Sequence, residues 1–323
     1  MRIAFVFAYI CGVGLPAAVL AQPAANTYPA KPVRVIVPFP PGSGVDLITR
    51  IVVPRLAEAL GQSFVVDNRG GAGGILGTEI AVKAPADGYN LYVGGAALIV
   101  TPLTTKVSYS YRDFAPISRL ASVPFIVVVH PSMPVNDITH LIKLARAKPG
   151  QLDYSSSGKG APSHLFVEYM KAMAKVDIVE VPYKITAQAL TDVIGGQVMM
   201  NLPILAAALP HIRGGRLKAL AVTSSARAAA APDIPAMGES SELRGYDAAQ
   251  WQGLVAPAGT PPDIVARINA ELNRALLLPD VKQRIGNLGV EFAPAAPEQF
   301  AADIRADTAK WNKLIRTLAI RLD

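Results

Sequence analysis

From Val33 onward, apolar and polar positions follow two alternating rhythms: short β-branched runs, then stretches with an apolar residue every three or four positions. VRVIV (Val33 to Val37) is the first run. The turn PFPPGSGVD (Pro38 to Asp46) leads into Ile48, Val52, Leu56 and Leu60 at helical spacing, with Pro54 predicting a bend. FVVD (Phe64 to Asp67) is the second strand, NRGGAGGILG (Asn68 to Gly77) the second glycine-bearing turn, Gly77 to Lys83 the second helix and LYVGG (Leu91 to Gly95) the third strand. Past a Tyr-rich connection, Ile117 to Leu120 and FIVVVH (Phe125 to His130) read as strands, the latter continuous enough to be covered on both faces. Ile138, Leu141, Ile142 and Ala145 then mark a helix capped at Asn136 or Asp137.

LDYSS enters a third special turn, SSSGKGAPSH (Ser155 to His164), before a helix to about Ala174. DIVEVPY (Asp177 to Tyr183), Thr186 to Ile194, VMMNL (Val198 to Leu202), a helix to Arg213 and LKALAVT (Leu217 to Thr223) continue the alternation. Ala226 to Gly245 is rich in Ala, Pro and Ser and reads as a crossing between lobes, followed by the strand WQGLVAP (Trp251 to Pro257). Ile264, Ile268, Leu272 and Leu276 form one apolar helix face; Phe300, Ile304, Trp311, Ile315 and Leu322 form another, expected to pack on the outside of a lobe. Repeated βα units predict largely parallel sheets covered by helices.

The front of the chain breaks this rhythm. Met1-Arg2, the apolar stretch Ile3 to Val19 and Val19-Leu20-Ala21 before Gln22 have the form of a removable secretory leader over residues 1–21, so the mature protein is expected to be exported. Cys11, the only cysteine, lies inside that leader, which leaves the mature chain without disulfides or thiolate chemistry. The 31 Lys and Arg outnumber the 24 Asp and Glu but stand singly, as a mild field for anions and not as a nucleic-acid stripe. Val198 to Pro210 is too short and too broken to span a bilayer.

Glycine permits the sharp reversals at 38–46 and 68–77, and each following helix points its first N–H groups back into its turn. Two such ends facing one cleft make a receptor for an anion, most simply a carboxylate. The plainer readings stay open. Gly42 and Gly44 serve equally as turn residues and Asp46 as an N-cap. Ser156 and Ser157 serve equally as helix caps, Lys159 as a solvated loop lysine and Tyr183 as a core ring. His164 reads as structural; His130, His140 and His211 stand apart with no ligand spacing.

PFPPGSGVD, NRGGAGGILG, ADGYNLYVG, YSSSGKGAPSHL, VPYK, GGQV, LPHIRGGRLKALAVT and WQGLVAPAGTPPDIVARIN occur in an order that resembles the tripartite tricarboxylate transporter solute-receptor family, also called Bug receptors, from about Tyr28 to the C-terminus. The resemblance implies an α/β periplasmic binding protein, type II-like, with two lobes. Each lobe is expected to be a mixed, mostly parallel sheet covered by helices, with the ligand between them. Its boundaries fall at 28–122 and 226–323 for lobe 1 and 123–225 for lobe 2. It implies a monomer without metal or other cofactor that delivers a small carboxylate to membrane transporter subunits, or presents it to a sensor kinase. Carried over by position, it puts Phe39, Pro41, Gly42, Ser43, Gly44 and Asp46 in a first carboxylate-binding loop and Gly71, Ala72, Gly73 and Gly74 in a second. Ser156, Ser157, Gly158, Lys159, Gly160 and Tyr183 would supply selectivity from the other lobe. Ser43 replaces a common glycine, Gly70 a usual proline, and Ile185 and Lys159 smaller or neutral residues. Asn201 stands where an acidic residue is frequent, removing a counter-charge for an amine and favouring a dicarboxylate or aromatic acid.

Enzyme classes find no support in the motifs. No G-x-S-x-G elbow occurs, and Gly70 to Gly77 does not fit G-x-G-x-x-G. No phosphate-binding G-x-x-x-x-G-K-S/T is present, and His and carboxylates do not cluster for a metal.

Overall fold

The computed structural model describes residues 28–158, 160–183 and 186–317. The expected leader, Lys159, Ile185 and Leu322 lie outside the described residues. The first lobe opens with β1 (Val33–Val37), α1 (Gly44–Leu60), β2 (Phe64–Asn68), α2 (Ile75–Val82), β3 (Asn90–Gly95), α3 (Ala97–Thr104) and β4 (Phe114–Val123). The second contains β5 (Ile126–Val129), α4 (Ile138–Ala147), β6 (Asp153–Ser156), α5 (Pro162–Ala174), β7 (Val179–Pro182), α6 (Thr186–Ile194), β8 (Met200–Asn201), α7 (Leu205–Arg213) and β9 (Lys218–Val222). The chain ends with β10 (Gln250–Pro257), α8 (Pro262–Leu277), α9 (Pro279–Asn287), β11 (Glu291–Phe292) and α10 (Pro297–Thr317).

Two sheets result, in the orders β11-β4-β10-β3-β1-β2 and β7-β6-β8-β5-β9. Each is covered on both faces, and the two-residue side-chain period of a strand decides which core each residue joins. In β1, Val33, Val35 and Val37 pack with α1 and α8, whereas Ile36 joins the opposite core with Tyr92 and Leu98. In β5, Ile126 and Val128 face α6 and α7, whereas Val127 and Val129 face α4 and α5. All four residues of β5 are fully buried, as a continuous apolar run on a doubly covered strand requires.

The sheets are mixed, with a smaller parallel share than the βα rhythm predicts. Among the described residues, four of nine strand pairings are parallel. Strands at the lobe junction account for much of the difference: β10 runs antiparallel to β3 and β4, and β9 to β5. Two connections also hold helices that the sequence reading passed over, α3 and α9. α1 continues through Pro54.

The segment expected to cross back at Ala226 stays on the second lobe for about twenty residues more. Ala228, Ala231 and Ala236 fill the core beneath Ile126 and Val128, Val222 bridges Ala236, and Tyr246 Oη donates to Phe166 O at 2.8 Å. Its alanines are core residues that lack a long enough period to announce a helix or strand. The chain returns to the first sheet at β10. Nor does α10 lie on the outside of one lobe: Phe300 is buried against Trp251, while Trp311 stacks on Phe166 of α5 with ring centroids 5.5 Å apart.

Phe300 occupies the space left by Gly253, where any Cβ would overlap its ring. Phe300→Ala is expected to lower the unfolding free energy by about 3–5 kcal/mol, read by urea denaturation, because the rigid strands around it cannot close the cavity.

Candidate functional site

The second glycine turn leaves β2 with the backbone in the left-handed region at Gly73 (φ +66°) and Gly74 (φ +98°), and at Ala72 (φ +46°). Gly74 N donates to Gly71 O at 2.9 Å and closes the turn. Among the described residues, no protein acceptor takes the N–H groups of Gly71, Ala72 or Gly73. Ala72 and Gly73 lie on the wall of a cavity of about 930 Å³.

The first turn is built differently. Gly42 N donates to Asp46 Oδ2 at 2.8 Å and Ser43 N to Pro40 O at 3.2 Å, so the amides of these two of the six expected loop residues are engaged internally. Ser43 Oγ caps α1 by accepting from Asp46 N at 3.4 Å. Asp46 is buried, and its carboxylate also accepts from Arg50 Nε and Asn68 Nδ2, each at 2.9 Å. Burial alone would raise the Asp46 pKa, but hydrogen bonds from Arg50, Gly42 and Asn68 hold it below the ordinary carboxylate value. Asn68 Nδ2 also reaches Phe39 O at 3.0 Å and so ties the two turns together. Of the six residues named in this loop, Phe39 lines the cavity; Pro41, Gly42, Ser43, Gly44 and Asp46 do not.

On the second lobe, Ser156 Oγ donates to Glu180 Oε1 at 2.5 Å and accepts from Gly158 N at 3.0 Å. His164 accepts from Gly160 N on Nδ1 at 3.2 Å while its Nε2 faces Glu180 Oε2 at 3.7 Å. Ser157 N donates to Ser163 Oγ at 3.0 Å. Glu180 therefore anchors this turn through Ser156 and His164. Ser157 and Gly160 line the cavity; Ser156, Gly158 and Tyr183 do not. Tyr183 Oη donates to Asp192 Oδ2 at 2.6 Å, a bond that, together with burial, pushes its pKa up to about 12. Asn201 lines the cavity, with Nδ2 donating to Ser155 O at 3.0 Å and Ser155 Oγ at 2.6 Å. Gly71 and Gly74 flank the two lining residues of their turn without lining the cavity themselves.

Two contributors were invisible in sequence. The N-termini of α3 (Ala96, Ala97) and α5 (Ala161, Pro162) open on the cavity without a side-chain cap, whereas α1 and α4 are capped by Ser43 and Asp137. Bare helix starts present the positive end of a dipole and, at α3, free N–H groups; at α5, Pro162 has no N–H and Ala161 N already donates to Gly158 O at 3.1 Å. The floor is apolar, with Phe125, Leu165, Phe166 and Trp311 contributing. No Asp, Glu, Lys or Arg occurs among the described lining residues, and His211 is their one titratable group. Burial first, then the nearby Arg216 charge, lowers the pKa of His211, so its ring is neutral near pH 7. Among the described residues, no group of three or more His, Cys, Asp and Glu gathers to hold a metal.

Two helix-covered sheets flanking a cavity whose lining includes amides unpartnered among the described residues have the build of a two-lobed solute-binding receptor. The chain belongs to the family described as "Tripartite tricarboxylate transporter family receptor", whose profile matches residues 48–320. It is similar to the protein BugT of Bordetella pertussis, at 34% identity over 97% of each chain. Among solved structures it is similar to Rpa4515 of R. palustris with adipate (33% identity, TM-score 0.76, covering 91% of this chain and 99% of that one). It is likewise similar to the periplasmic binding protein BugD (31% identity, TM-score 0.72, covering 91% and 99%). No helix among the described residues is long and apolar enough to cross a membrane.

Replacing Asp46 by Asn removes the acceptor that Arg50 and Gly42 share. At pH 7 the variant is expected to be less stable by about 1–3 kcal/mol in chemical denaturation. Because the folded-state pKa lies below the unfolded value of 3.8, the native advantage is present above that value and fades as pH falls through the folded pKa. The two denaturation curves should therefore converge in acid.

Proposed function

We propose that the protein is exported by its leader to the periplasm, captures a small carboxylate between its lobes and presents it to the subunits of a membrane transporter. A dicarboxylate or an aromatic acid is the favoured ligand. The observation that carries this reading is the pair of amides at Ala72 and Gly73, without an acceptor among the described residues, on an apolar cavity without ionised side chains among its described lining. A carboxylate leaving water must regain hydrogen bonds or lose several kilocalories per missing partner, and backbone N–H groups aided by bare helix N-termini supply them. Adipate, bound by the relative Rpa4515, joins such a head to an apolar body. An acid touching both lobes favours the closed arrangement, since only that arrangement lets it use both walls.

Thermal-shift measurements against mono-, di- and tricarboxylates and aromatic acids test this reading, and one carboxylate class should raise the melting temperature. A Cβ at Gly73 meets nothing within 4 Å, but the φ of +66° strains a branched side chain, so asparagine, which tolerates left-handed angles, is the substitution to use. Folded Gly73→Asn is expected to bind the acid at least about tenfold more weakly by calorimetry, the equivalent of losing one charge-assisted hydrogen bond. Unchanged affinity would remove the turn from the site.

A further inference from the structure

Gln250 opens β10, the strand by which the chain returns from the second lobe to the first sheet. Its backbone pairs with Val123 of β4, and Trp251 beside it packs edge-on against Phe300, so the side chain springs from a rigid base. Gln250 lines the large cavity and also a second, small hollow of about 10 Å³ that Gly74 and Gly95 line as well. Phe39, Gly73, Ala97 and Gln250 line both spaces. A hollow no larger than a water molecule holds its lining residues close together, so Gln250 stands at the same end of the large cavity as the Gly73 amide. Gly95 faces its amide with bare backbone: a Cβ there would meet Gln250 Nε2 at 3.9 Å and Trp251 O at a crowded 3.0 Å.

Of the four shared residues, Gln250 alone has a polar side chain, and its amide has no hydrogen-bond partner among the described residues. Nor is that amide sealed: Gln252 Oε1, two positions on, is buried and unpaired, whereas neither amide atom of Gln250 is. Asn201, the other side-chain amide of the described lining, differs again, since its Nδ2 donates to both Ser155 O and Ser155 Oγ. We infer that Gln250 is a ligand-binding residue whose Nε2 donates to the carboxylate held by the Ala72 and Gly73 amides. This rests on the receptor reading above. A carboxylate offers about four acceptor positions, so two backbone amides leave part of it unmet. The Gln250 amide gives up no protein bond in turning its NH2 to the acid, and a donor to an ionised acceptor makes the stronger class of hydrogen bond.

Calorimetry with acetate, adipate, citrate and benzoate finds the acids that wild type binds, and the same titrations are run on Gln250→Leu and Gln250→Glu. At pH 8, Gln250→Leu should bind such an acid about tenfold more weakly, the loss of one hydrogen bond to a charged group. Gln250→Glu keeps the shape but sets a second negative charge against the acid, and should bind at least about thirtyfold more weakly. Lowering the pH to 5.5 should shrink the deficit of Gln250→Glu relative to wild type at least about threefold, because the ligand's charge raises the pKa of the introduced carboxyl and its neutral form no longer repels. The deficit of Gln250→Leu should stay constant, and a merely structural role would give neither variant this pH dependence. Melting curves of the ligand-free variants show that each is folded. Affinities of both within about twofold of wild type, or a deficit of Gln250→Glu that is the same at both pH values, overturn the role of Gln250 and leave the receptor reading standing. Wild type that binds none of the four acids overturns the receptor reading and this inference with it.

Discussion

A carboxylate can be taken out of water only where hydrogen-bond donors already stand in place, and in this protein those donors belong to the backbone. The amides of Gly71, Ala72 and Gly73 have no acceptor among the described residues, in a turn whose backbone takes positive φ at all three positions. Without a lysine or arginine in the described lining, the site presents fixed dipoles instead of mobile charges. Such a site has little to reorganise on binding, and it discriminates by shape and by the pairing of each polar atom.

That preorganisation depends on buttresses outside the cavity. Asp46 gathers Gly42, Arg50 and Asn68, and Asn68 in turn holds the Phe39 carbonyl, so the first turn acts as a clamp that fixes the second. Glu180 performs the equivalent task on the other lobe through Ser156 and His164. Phe166 meets Phe125 edge-on and stacks on Trp311 of α10, so the cavity floor also ties α10 to the second lobe.

Much of this was legible in the sequence, for physical reasons. β1, β2, β3 and β5 follow from β-branched runs, α1 and α4 from apolar spacing, and the glycine turns from their need for reversals. The roles within those turns were less legible. Glycine composition marks where the backbone bends but not whether an amide finds an internal acceptor, so Gly42 and Ser43 look the same in sequence as Gly71 and Gly73. The bare helix starts escaped notice because their signature is the absence of a capping side chain. Trp311 sits on an apolar helix face that gives no sign of which lobe it meets, and with the buried Phe166 it forms the cavity floor. The segment from Ala226 to Gly245 shows the same limit: an alanine-rich stretch signals a connector until the partner it packs against is known.

The most direct test follows the amides themselves, by recording the nitrogen–proton NMR spectrum of the labelled protein during titration with a bound carboxylate. Downfield movement of the Ala72 and Gly73 amide protons, with those of Gly42 and Ser43 nearly still, is the expected result. Movement of Gly42 and Ser43 with Ala72 and Gly73 unchanged would contradict the account and return the acid to the first turn.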